Sequence, residues 1–102
     1  SSVVAVRGSG PTTFVLISGM IGGVSGFRRL ASLLESENRV VTIDPYRLAA
    51  DSADVTFAAL APYVDTVLGE LGVDSARVVG HAHGTGVALR LAANSPARVS
   101  AL

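Results

Sequence analysis

Val78-Val79-Gly80-His81-Ala82-His83-Gly84-Thr85-Gly86 is the stretch on which the fold turns. A β-branched run enters a glycine-rich turn, and a largely apolar helical pattern follows at once. Glycine stands two positions before and two positions after Ala82. Residues without a Cβ at those places let a strand and the helix after it approach closely. Such a turn lifts its central side chain above the sheet, at the electropositive start of the helix. The side chain lifted here is a methyl group, which can neither attack a substrate nor donate a hydrogen bond.

On both sides of this turn, short β-branched runs alternate with helical patterns. Upstream, Val3 to Val6 reads as a short strand, followed by a Gly8-Ser9-Gly10-Pro11 turn. Thr13 to Ile17 is a continuous apolar run, as in strands buried on both faces. It leads into the glycine-rich loop Ser18-Gly19-Met20-Ile21-Gly22-Gly23. A helix is predicted from about Gly26, with Ser25 as its cap and Phe27, Leu30, Leu33 and Leu34 on one side. Val40 to Ile43 reads as a strand closed by Asp44-Pro45, and an irregular stretch then reaches Asp54, the expected cap of the next helix. In that helix Phe57, Leu60, Ala61, Val64, Val67, Leu68 and Leu71 recur at spacings of three and four, and Gly72 ends it. Arg77 to Val79 is the strand before the turn. Beyond it a helix is predicted from about Thr85 to Ala93, stopped by Asn94 and Pro96, with Val99 to Leu102 opening another strand. Strands alternating with helices imply a mostly parallel sheet with right-handed crossovers.

Composition narrows the class. Of 102 residues, 49% are hydrophobic and only 16% charged, with a mean hydropathy of +0.51. An isolated domain of this size exposes much of its surface and needs more polar cover. The expectation is therefore a segment, residues 1–102, forming the N-terminal part of a single larger domain. Eight arginines balance eight acidic residues, which gives no basic surface for nucleic acid and none for an acidic membrane. Cysteine is absent, so disulfide and thiolate chemistry are excluded within these residues. The first residues lack the basic and apolar regions of a signal peptide, and no apolar run approaches the roughly 18 residues of a membrane span. A soluble, cytoplasmic protein is expected, without metal or cofactor.

From Thr13 to Leu102 the chain resembles the first half of the α/β-hydrolase superfamily. Phe14-Val15-Leu16-Ile17-Ser18-Gly19-Met20 is similar to the family's strand and His-Gly-x loop, with Ser18 in place of the histidine. Phe27 to Leu34 resembles the following helix, and Arg39 to Asp44 the next strand with its closing aspartate. Ala76 to Gly84 is similar to the nucleophile elbow G-x-S-x-G, with Ala82 where serine belongs, and Ala92 to Val99 to the approach to the next strand. The resemblance implies a three-layer α/β/α fold with a mostly parallel sheet, incomplete in this chain. It implies an oxyanion hole made by the backbone N–H groups of His83 and Met20, and a substrate pocket lined by Gly19, Met20 and His83. It also implies acyl-transfer hydrolysis of a small-molecule ester, thioester or lactone. The family's acid and histidine come later in the chain. They would be supplied by a missing C-terminal half or a second chain.

Ala82 leaves two readings open. It replaces a natural serine, or it is natural and the pocket works without a covalent intermediate. The second reading covers lyases, cyclases, cofactor-free oxygenases and a non-catalytic binding protein, all compatible with this fold. His81 and His83 invite a metal site, but alternate residues on a sharp turn diverge and no acidic ligand lies near them in sequence. His83 is expected to line the pocket and His81 to pack under neighbouring loops. Asp44 is expected to anchor a loop, and Arg28, Arg29 and Arg47 to be solvated. A rival reading takes Gly80, Gly84 and Gly86, or Gly19, Gly22 and Gly23, as a dinucleotide cradle. The first set stands too late in the chain for that motif and the second lacks its order.

Overall fold

Three runs too apolar to face water become the centre of a sheet. The computed structural model describes residues 3–19, 24–48 and 56–102. Strands β1 (Val4–Arg7), β2 (Thr13–Ile17), β3 (Arg39–Ile43), β4 (Ala76–Gly80) and β5 (Val99–Ala101) form one sheet in the order β1-β3-β2-β4-β5. β2 runs parallel to both β3 and β4, and β4 parallel to β5, whereas β1 lies antiparallel on β3. The expected parallel sheet is therefore present, with an antiparallel edge strand.

Alternation along each central strand divides two cores. Val15, Ile17, Val41, Ile43 and Val78 face helices α3 (Phe57–Glu70) and α4 (His83–Asn94), meeting Leu60, Ala61, Val64, Leu68, Val87, Ala88 and Leu91. Leu16 and Val40 face the other way, onto Phe27 and Ala31, with Phe14, Leu30, Leu34 and Val79 packed around them. That second layer is α1 (Arg28–Leu34), preceded by a 3₁₀ turn over Val24–Phe27. Helices thus cover both faces, the three-layer arrangement that a doubly apolar parallel sheet requires. Each fully buried aliphatic side chain contributes about 1.5–3 kcal/mol, so these two cores outweigh any surface contact in setting the fold.

Several expectations shift. The 3₁₀ turn puts Phe27 at the cap position of α1, with no side-chain cap bond, rather than Ser25. Leu33 is 71% exposed, because the face turned to the sheet is made by Phe27 of the 3₁₀ turn and Ala31 of α1, with Leu30 and Leu34 half-buried beside them. The stretch after Asp44-Pro45 opens with a short helix, α2 (Pro45–Leu48). Asp54 lies outside the described residues, and the cap of α3 is Thr56, whose Oγ1 accepts the Ala59 N–H at 3.2 Å. Gly72, at φ 73°, ends α3 as expected. Its N–H donates to the Gly69 carbonyl and the Val73 N–H to that of Leu68, the paired bonds of a Schellman motif. α4 begins two residues earlier than its sequence pattern suggests, at His83.

Removing the Thr56 cap frees one helix-terminal amide, a change worth typically about 1 kcal/mol. Thr56→Ala is expected to lower the unfolding free energy by that amount, measured by urea denaturation. No loss at all would mean that α3 is capped in some other way.

Candidate active site

Parallel pairing brings three strand ends to one edge. Ile17 is level with Ile43 on one side and with Gly80 on the other, so the segments that follow β2, β3 and β4 meet there. Ligands bind to open parallel sheets at this carboxyl end. Backbone bonds fix the meeting: the Ser18 N–H donates to the Ile43 carbonyl at 3.0 Å and the His81 N–H to the Ile17 carbonyl at 3.1 Å. The Ser18 hydroxyl also donates to the Ile43 carbonyl, which gives this buried side chain a structural task.

Ala82 sits at the centre of this edge at φ 53°, ψ −123°. Among the described residues it is the one non-glycine with positive φ. Holding an alanine there costs on the order of 1–3 kcal/mol. The turn is pinned on both sides of it, by the Gly84 N–H donating to the His81 carbonyl at 2.9 Å and the Thr85 N–H to the Ala82 carbonyl at 3.0 Å. His83 is the first residue of α4, and its N–H belongs to the helix-terminal amides that have no partner inside the helix.

The neighbouring glycines are explained by packing. A Cβ on Gly80 would lie 2.6 Å from the Gly84 carbonyl oxygen and from the Thr85 Cα, and one on Gly84 would fall on the Ile17 carbonyl oxygen. One on Gly86 would fall on the Phe57 ring. Gly80, Gly84 and Gly86 therefore serve close approach of strand, helix and ring rather than an open cradle. Gly19 faces the turn from β2: a Cβ there would stand 3.2 Å from the Ala82 Cβ and 3.4 Å from the His83 nitrogen. The structure thus brings Gly19, Ala82 and His83 together, as the sequence suggests. Met20, with Gly22 and Gly23, lies outside the described residues.

The two histidines diverge. His81 is exposed, edge-on to Phe27 at 6.2 Å between ring centroids, so it flanks that ring instead of packing beneath loops. His83 is also exposed, and its Nδ1 lies 3.1 Å from the Tyr46 hydroxyl oxygen. Its ring stands edge-on to Phe57 at 5.6 Å. Asp44 anchors the turn into α2, its carboxylate accepting the N–H groups of Tyr46 and Arg47 at 3.1 and 3.2 Å. Arg47 is largely solvated and reaches the same carboxylate at 3.6 Å. Burial, and then the charge of Asp44, raise the pKa of Tyr46, so the phenol stays protonated well beyond neutral pH. Sequence reasoning missed Tyr46 altogether and assigned Phe57 to the core. The available signal was the position of Tyr46 three residues past the end of a parallel strand.

The chain is similar to known proteins in sequence and in fold. The family model described as "alpha/beta hydrolase fold" matches residues 12–102. The dihydrolipoyllysine-residue acetyltransferase component of the acetoin cleaving system of Cupriavidus necator is 34% identical over 98 residues, covering 93% of this chain and 26% of that protein. A protein of Variovorax paradoxus, provisionally assigned as the carbamate hydrolase RutD, is 35% identical over 103 residues, covering 95% of this chain and 39% of that protein. A solved structure from Pseudomonas aeruginosa, provisionally assigned as an epoxide hydrolase, superposes with a TM-score of 0.81 at 34% identity, over 94% of this chain and 34% of that one. The chain thus spans between a quarter and two fifths of the length of these relatives. Among the described residues, no helix is long and apolar enough to cross a membrane.

Proposed function

This chain belongs to the α/β-hydrolase fold family, and on that premise we propose that it forms part of an enzyme that hydrolyses an ester, thioester or lactone. The observation that carries the reading is the backbone of Ala82. It holds positive φ where a central parallel strand passes into α4, with Gly19 and the His83 amide beside it. A serine on that backbone would carry its hydroxyl above the sheet edge, beside the first amide of the helix.

The chemistry follows from that arrangement. Attack on a carbonyl carbon turns the carbonyl oxygen into an oxyanion. The N–H groups of His83 and Met20 would receive that charge, each contributing about 2.7–4 kcal/mol to the transition state. The proton of the attacking hydroxyl would pass to a histidine oriented by an acid, both supplied by residues beyond these 102. The Variovorax relative, assigned to carbamates, is named for a substrate with the same kind of carbonyl carbon. With Ala82 there is no oxygen at this position to form an acyl-enzyme, so covalent turnover through it fails in the chain as written.

The same methyl group favours a second reading. If alanine is the natural residue, the pocket binds its ligand or transforms it without a covalent intermediate at position 82. The source gene separates the two: an alanine codon favours the second reading and a serine codon removes it.

The acyl-transfer reading is tested with a fluorophosphonate probe on the full protein, the residues that supply the histidine and the acid included, carrying Ala82→Ser. The expected result is a covalent label on the peptide containing residue 82, absent from the Ala82 protein. A folded Ala82→Ser protein that takes up no label would overturn the reading.

A further inference from the structure

The imidazole of His83 is held from two sides. Tyr46, in α2, meets its Nδ1 at 3.1 Å, and Phe57, the first residue of α3, stands edge-on to its ring. Phe57 has room there only because Gly86 carries no side chain. Three separate helices therefore fix the orientation of one exposed ring, next to the amide assigned above to the oxyanion.

The bond to Tyr46 has a consequence for where the imidazole keeps its proton. A phenol hydroxyl can donate or accept, whereas the unprotonated nitrogen of a neutral imidazole can only accept. With Tyr46 donating to Nδ1, the ring proton resides on Nε2. If the ring takes up a second proton, Nε2 still carries one. In either state Nε2–H remains a donor, and among the described residues no protein acceptor is recorded for it. The raised pKa of Tyr46, from burial and the nearby Asp44 carboxylate, keeps the phenol in its donating form.

We propose that Tyr46 is a positioning residue that fixes the Nε2–H tautomer of His83, making the imidazole a specificity-determining donor for substrates that carry an ether or ester oxygen close to the scissile carbonyl. The inference rests on the acyl-site reading of the turn at Ala82. His83 then donates twice, from its backbone to the oxyanion and from its side chain to a second oxygen. An all-carbon acyl chain leaves the second donor to water.

The tautomer is read without any turnover, from long-range nitrogen–proton spectra of the nitrogen-15-labelled full chain, with His83 assigned by the signals lost in His83→Gln. The expected result is the Nε2–H form in the parent and a shift toward the mixed tautomers of a free imidazole in Tyr46→Phe. Recognition is read by titrating methoxyacetamide against butanamide, amides that differ by an ether oxygen in place of a methylene. The ether should bind about 3–10-fold more tightly, the range of one net neutral hydrogen bond, and the preference should fall to within about twofold in Tyr46→Phe and His83→Phe. An Nδ1–H tautomer in the parent, or an ether preference unchanged by both variants, would overturn the proposal. If the tautomer and the ether preference hold while Ala82→Ser resists the fluorophosphonate, the donor role stands and the acyl-transfer reading falls.

Discussion

The full chain carrying Ala82→Ser is expected to cleave p-nitrophenyl acetate in two phases, a burst of nitrophenolate followed by slower turnover. The burst reports an acyl-enzyme that forms faster than water releases it. In a serine hydrolase, loss of the nucleophile alone costs on the order of 10⁶ in kcat. Restoring it should therefore raise the rate at least about 1,000-fold over the Ala82 protein. The backbone is already in place for the change, because φ 53° and the bonds on both sides of residue 82 belong to the turn and not to its side chain. The hydroxyl adds one atom at an exposed position, so stability should move by no more than about 0.5 kcal/mol. Stopped-flow absorbance gives both the burst and the rate. A single slow phase, within tenfold of the parent in a folded protein, would count against a nucleophile at this position.

The largest effect on stability is expected at Gly84. A methyl group there falls on the Ile17 carbonyl oxygen and lies 2.8 Å from that of Ser18. Both obstacles are backbone atoms, of the last residue of β2 and of the buried residue after it, so neither can swing aside as a flexible side chain would. Either β2 or α4 must move, and each is tied to the rest of the sheet. Gly84→Ala should cost about 3 kcal/mol or more, the upper range for overpacking. For a domain of the length of its relatives that lowers the melting temperature by about 6 °C or more. Gly26→Ala is the matched control: a Cβ there meets nothing within 4 Å, and its effect should stay within about 0.5 kcal/mol. Thermal melts of the two variants side by side give the comparison. Equal melting temperatures would mean that strand and helix are less closely packed than their backbones indicate.

Much of the fold was legible because periodicity and burial coincide here. Thr13–Ile17 reads as a doubly buried strand and is one, since Val15 and Ile17 enter one core and Phe14 and Leu16 the other. The stripe of Leu60, Ala61, Val64 and Leu68 announces α3, and Gly72 its end. Legibility failed where short-range signals compete. Asp54 and Ser25 are residues typical of caps, but a cap is set by where the backbone turns helical. At α1 a 3₁₀ turn intervenes and moves that point to Phe27. The glycines flanking Ala82 disclosed the turn, because backbone proximity leaves a mark in sequence as missing side chains. The Tyr46–His83–Phe57 cluster left no such mark beyond the place of Tyr46 just past β3. It joins residues 37 positions apart at its first contact, and only the register of β2 with β3 and β4 brings them to the same edge.

The backbone of Ala82 also bears on how such a chain changes over generations. Glycine would occupy φ 53° without the penalty that any Cβ incurs there, and a single base change separates alanine codons from those of glycine. A lineage judged by stability alone would drift to glycine at this position and recover part of the roughly 1–3 kcal/mol held in the turn. Alanine is as close in codons to serine as to glycine. Which of the two its neighbours on a gene tree carry would record whether the turn was last selected for an attacking oxygen or only for its shape.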